Sequence, residues 1–97
     1  MTMSMSVQGQ VLTVTGDLDR FVLGNTKHYQ FPAVSGDVTV DLAKVTSVDT
    51  AGLAWVLKLV GFYKSRQQAV LISNEPQQLI ALASISNALN LLPLKNS

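Results

Sequence analysis

The sequence predicts an α/β fold, a mixed sheet with parallel central strands and helices packed on it, in the order ββαβαβα with a possible final strand. Three observations carry this. Apolar and polar residues alternate in Asp37-Val38-Thr39-Val40-Asp41-Leu42, the period of a half-buried strand. Over 51–67 the period becomes helical, with Leu53, Val56, Leu57 and Val60 at i, i+3, i+4 and i+7 forming a core-facing stripe. Residues 69–73 (AVLIS) are a short apolar run between polar boundaries, so 37–73 reads as two parallel strands joined by a right-handed helical crossover.

Taken in order, residues 3–7 and 10–15 flank Gln8-Gly9 and read as an antiparallel hairpin. Gly16-Asp17-Leu18-Asp19 interrupts the strand pattern and offers an aspartate N-cap for a helix over about 20–31, with Phe21, Val22, Tyr29 and Phe31 facing inward. Gly24, Asn25 and Thr26 weaken that helix, and Pro32 with Ser35-Gly36 ends it. After the strand at 37–42, the polar stretch up to Val48 reads as a loop, and Asp49-Thr50-Ala51-Gly52-Leu53 opens the central helix. Pro76 suits the first turn of a last helix over about 76–86, carrying Leu79, Ile80, Leu82, Ala83 and Ile85. The apolar residues of 87–94 form an edge strand or a coil against the core, and 95–97 is a frayed tail.

The chain has 97 residues, 47% hydrophobic and only 13% charged, which fits one domain over 1–97 with a core that needs no disulfide or metal. Its formal net charge is +1 and its seven basic residues are scattered, so phosphate-driven nucleic-acid binding is not expected. Cysteine is absent, which excludes thiol chemistry and suits a reducing compartment. The N-terminus lacks a basic region followed by an apolar core, and the longest nearly apolar run, 51–62, falls short of the ~20 residues that span a bilayer. A cytoplasmic protein is the expectation. Many apolar and few charged residues point to a protein partner.

No catalytic constellation, metal site or cofactor emerges. His28 is the only histidine, and the six glycines match no phosphate-binding fingerprint. Asp17, Asp19 and Asp49 fall where loops gather at one end of the sheet; they are either a carboxylate pair or, by preference, helix caps and solvated groups. At the central helix start, the Thr50 hydroxyl or the Asp49 carboxylate caps the first turn, and Thr50 is also placed for docking or phosphorylation. Trp55, Leu59 and Phe62 form a second apolar stripe nearly opposite the first. That stripe meets either a neighbouring helix of the same layer or a partner.

Gly16-Asp17-Leu18-Asp19 after a hairpin, followed by VDLAKVTSVDTAGLA, resembles the STAS domain family of anti-sigma factor antagonists and transporter-associated modules. The family's motif of Asp, a phosphorylatable Ser or Thr, a small residue and Gly-Leu is matched by Asp49, Thr50, Ala51, Gly52 and Leu53. Within the family, SVDTAGLAWVLKLV is most similar to the small STAS subunits, of MlaB type, of the ABC transporters that maintain outer-membrane lipid asymmetry. That resemblance implies a non-catalytic subunit bound to the transporter's ATPase, with the permease in the assembled complex and membrane association only through it. Thr50 would be a contact residue, with Asp49, Ala51, Gly52, Leu53, Trp55, Leu59 and Phe62 extending the partner surface and Asp17 and Asp19 supporting it. The alternative within the family is an antagonist whose binding to an anti-sigma factor kinase is switched by phosphorylation of Thr50. Such antagonists more often carry Asp-Ser-Ser-Gly-Leu and a further C-terminal helix.

Overall fold

The computed structural model describes residues 2–95. Its elements are β1 (Met3–Gln8), β2 (Val11–Leu18), α1 (Arg20–Leu23), a 3-10 turn (Thr26–Tyr29), β3 (Val38–Val48), α2 (Thr50–Ser65), β4 (Val70–Ser73), α3 (Gln77–Ile85) and a second 3-10 turn (Leu89–Leu91). The four strands lie in the order β1-β2-β3-β4. β1 is antiparallel to β2, while β2 with β3 and β3 with β4 are parallel. This is the mixed α/β sheet the periodicities predict. The opening hairpin turns at Gly9-Gln10, one residue later than expected.

Register sorts the sheet into two faces. Leu12, Val40 and Ile72 are neighbours across three strands, and all are fully buried. The alternate row, Val11, Thr39 and Leu71, is partly or well exposed, so the helices cover one face only. A strand order that advances in one direction with right-handed crossovers requires this one-sided layer.

Two expected boundaries are corrected. β3 continues to Val48 through the stretch expected to be a loop. Its pairing with β2 shifts register twice, between Thr13 and Thr15 and between Gly16 and Asp17, with one extra residue on β3 each time. Each bulge inverts the alternation, which hides the strand from a strict two-residue period. The Asp41 carboxylate holds the first irregularity by accepting the Ala43 N–H at 3.0 Å and the Asn74 side-chain amide at 3.0 Å.

The helix expected over 20–31 is the other correction. α1 is four residues long and stops at Gly24, after which Asn25 caps the 3-10 turn by accepting the Lys27 N–H. Phe21 consequently points outward, 69% exposed, instead of into the core. Residues 30–37 have no regular structure and run over the back of α2. The Trp55 indole N–H donates to the His28 carbonyl at 2.8 Å, and the Tyr63 hydroxyl donates to that of Pro32. The Phe31 ring lies 5.7 Å from that of Trp55 and 5.4 Å from that of Phe62. Gln68 fastens the far end, donating to the Val34 and Gly36 carbonyls.

At the β4 edge, the chain turns back on itself after α3. Ile72 donates to the Pro93 carbonyl at 2.8 Å and accepts from Lys95 at 2.9 Å, a parallel bridge with Leu94. The run 87–94 is thus a 3-10 turn followed by a rudimentary edge pairing. Of the expected tail at 95–97, residues 96 and 97 lie outside the described residues.

Candidate functional site

The N-termini of α1 and α2 meet at the C-terminal ends of β2 and β3, and the cap residues join them. Asp49 leaves β3 in an extended conformation and donates its own N–H to the Leu18 carbonyl at 3.1 Å. Its Oδ1 accepts the Gly52 N–H at 3.1 Å, and its Oδ2 accepts the Arg20 N–H at 3.0 Å. One carboxylate therefore serves the first turns of both helices. Asp19 caps α1, its Oδ1 accepting the N–H groups of Phe21 and Val22, each at 3.1 Å. Desolvation, the largest single influence on Asp49, raises its pKa. The amides of Arg20, Gly52 and Ala51 with the Arg20 charge outweigh it, and the carboxyl lies below its ordinary range.

Asp17 has a different task. Its Oδ1 accepts the Thr46 hydroxyl at 2.7 Å and the Ser47 hydroxyl at 2.9 Å, and these two bonds hold its pKa down. The three aspartates thus occupy the structure as two helix caps and one strand tie, the arrangement that capping preference favours over a carboxylate pair. Among the described residues, no group of three or more His, Asp and Glu side chains is placed to hold a metal ion.

Gly52 sets how closely the helix start approaches the sheet. A methyl group there would run into the Leu18 carbonyl, so only glycine lets α2 sit this low and bring Asp49 within reach of α1. Gly16 is equally constrained: its φ is 104°, and a side chain would meet the Thr2 carbonyl.

Within 49–53, Thr50 is the exposed residue; Asp49 and Ala51 are half-buried, and Gly52 and Leu53 are buried. The cap belongs to Asp49, and Thr50 is an exposed residue on the first turn. Both Asp49 oxygens accept backbone amides, which ties the carboxylate to the two helix starts.

The expected extension along Trp55, Leu59 and Phe62 does not form a surface. Trp55 and Leu59 are 0% exposed, and Phe62 is half-buried among Phe31, Tyr63 and the Arg66 guanidinium. The stripe is covered from within the chain, though by an irregular segment and not a helix. His28 contributes its carbonyl to that cover, and burial together with Lys27 lowers its imidazole pKa.

Reading by periodicity misses the aromatic that does reach the surface. Phe21 projects beside the shared cap with the Arg20 guanidinium 4.9 Å from its ring centre, and the Arg20 N–H is bonded to Asp49. Arg and an exposed aromatic are typical anchors of protein interfaces. The one available signal was Gly24 so soon after the Asp19 cap, which limits α1 to a single turn.

A family model described as "Mlab, STAS domain" matches residues 1–93. Two curated relatives carry the name intermembrane phospholipid transport system binding protein MlaB, one from Escherichia coli (strain K12) and one from Shigella flexneri. Each is 31% identical over 86 residues, covering 89% of this chain and 89% of the relative.

Proposed function

Because this chain belongs to the MlaB STAS-domain family, we propose that it is a non-catalytic subunit of an intermembrane phospholipid transport system. It binds the ATPase of an ABC transporter at the cytoplasmic face of the membrane and supports assembly or activity of the complex. The observation that carries this reading is the start of α2, where Asp49 and Gly52 fix the helix against β2 and α1 and leave Thr50 exposed on its first turn.

Thr50 is the centre of the contact, and Arg20 and Phe21 enlarge it from α1. Asp49, Ala51, Gly52 and Leu53 hold that surface in position and contribute little area to it, and Asp17 and Asp19 brace the adjoining strand and helix ends. The permease is reached through the ATPase. Among the described residues, no helix is long and apolar enough to cross a membrane.

Affinity purification of the tagged chain from its native cell tests the proposal. Co-purification of an ABC ATPase with its permease is the expected result. Recovery of an anti-sigma factor kinase in place of the ATPase would overturn it in favour of a switch operated by phosphorylation of Thr50.

A further inference from the structure

The two edges of the sheet are finished differently. At β4 the chain's own segment around Leu94 pairs with Ile72. At the other edge, β1 pairs with β2 on one side and with no strand among the described residues on the other. Antiparallel strands alternate residues that bond their partner with residues that point away. The Asp17 N–H donates to the Thr2 carbonyl at 2.9 Å, which fixes the phase: the even-numbered residues of β1 bond to β2. Met3, Met5 and Val7 therefore direct their N–H and C=O groups outward. An open edge of this kind is commonly protected by charge, proline or a bulge. β1 reads MSMSVQ and has none of these.

We infer that β1 is a self-association edge, pairing antiparallel with β1 of a second copy about a two-fold axis through Met5. The strand matches itself. In that register Met5 exchanges backbone hydrogen bonds with Met5 of the second copy and Val7 comes opposite Met3, which is only 7% exposed, so the accessible length of the edge is centred on Met5 and Val7. On the helix-covered face the new neighbours are Met and Val, covering half-buried Met5 and Val7, which is 39% exposed. On the open face, exposed Ser4 comes opposite Ser6. No like charges meet across the axis, and the net charge of +1 gives little repulsion between copies. The result is one continuous sheet of two protomers; the pairing draws on none of Asp49, Thr50 or Arg20, although its Met3 end adjoins Phe21.

Sedimentation velocity on the full chain, from about 10 µM to about 1 mM, covers the weak affinity that an interface below ~1,000 Å² supports. A concentration-dependent rise toward dimer mass is expected, with backbone amides of Met5 and Val7 gaining hydrogen-exchange protection as it occurs. Ser4 and Ser6 are exposed, so charged replacements there leave the fold intact. Ser4→Lys with Ser6→Lys, and separately Ser4→Glu with Ser6→Glu, should each weaken self-association about fivefold to tenfold, because like charges then face each other. Mixing the two variants should restore association. A wild-type chain that stays monomeric throughout would overturn the inference. So would charged variants that associate as the wild type does, protection that appears elsewhere, or a mixture that fails to recover.

Discussion

Trp55 and Thr50 lie about a turn and a half apart on α2, yet Trp55 is fully buried and Thr50 is exposed. A bulky aromatic on the side of a helix away from the sheet looks like a docking anchor, and a small hydroxyl residue does not. The irregular segment between α1 and β3 reverses that impression. It lays the His28 carbonyl on the Trp55 indole, the Pro32 carbonyl on the Tyr63 hydroxyl and the Phe31 ring between Trp55 and Phe62. The back of α2 is core, and the proposed contact lies at its tip.

The largest effect should come from removing what lies under that segment. Trp55→Ala empties a fully buried site and leaves the His28 carbonyl without its donor. A loss of about 3–5 kcal/mol is expected by chemical denaturation, the usual range for an aromatic truncated in a core. A Trp55→Ala chain as stable as the wild type would return the stripe to the surface and break the comparison.

Gly52→Ala comes next. Alanine is the better helix former by ~1 kcal/mol, but its methyl group overlaps the Leu18 carbonyl, and α2 must rise from the sheet. Overpacking of this kind costs about 1–3 kcal/mol. Thermal unfolding should therefore show net destabilisation, where an unconstrained helical glycine would show a gain.

Asp49→Asn is milder and carries a pH signature. The amide still accepts from Gly52 but cannot accept from Arg20 with its nitrogen, a change of about 1 kcal/mol. The carboxyl's folded pKa lies below the ordinary 3.8. Its contribution is thus complete above that value and is lost as the pH falls through the lower folded pKa. Urea titrations from neutrality to strong acid should show the variant's stability declining less than the wild type's in that acidic window. Asp17 and Asp41, whose pKa values are also lowered by hydrogen bonds, leave a remaining acid dependence in both proteins.

The smallest effect on stability belongs to Phe21→Ala, within about 0.5 kcal/mol, as for other surface substitutions. A large loss on unfolding would show that Phe21 is structural, and its role at the contact would then need another residue.

The fold is legible in the sequence where a local rule decides the outcome. Aspartate before a helical period predicts a cap, and Asp19 and Asp49 both cap; the alternation at 37–42 and the apolar run at 69–73 predict parallel strands, and both form. It is hidden where non-local pairing overrides the period. The second half of β3 is held by β2 through two bulges, so its side chains alternate out of phase with any simple count. The fate of Trp55, Leu59 and Phe62 was undetermined for a related reason: residues 30–37 carry no periodicity that says where they pack, and only the folded chain brings them over α2. Phe21 faces inward only on a twelve-residue helix; α1 has four residues, and the side chain turns outward.

The most direct measurement is calorimetric titration of the purified chain against the proposed partner, an ABC transporter ATPase from the same cell, comparing wild type with Thr50→Glu. Glutamate on the first turn is favourable to the helix dipole, so the variant should keep its melting temperature while its affinity falls at least 100-fold, since an unpaired charge is forced into the contact. Equal affinity of wild type and Thr50→Glu for the ATPase would contradict the account.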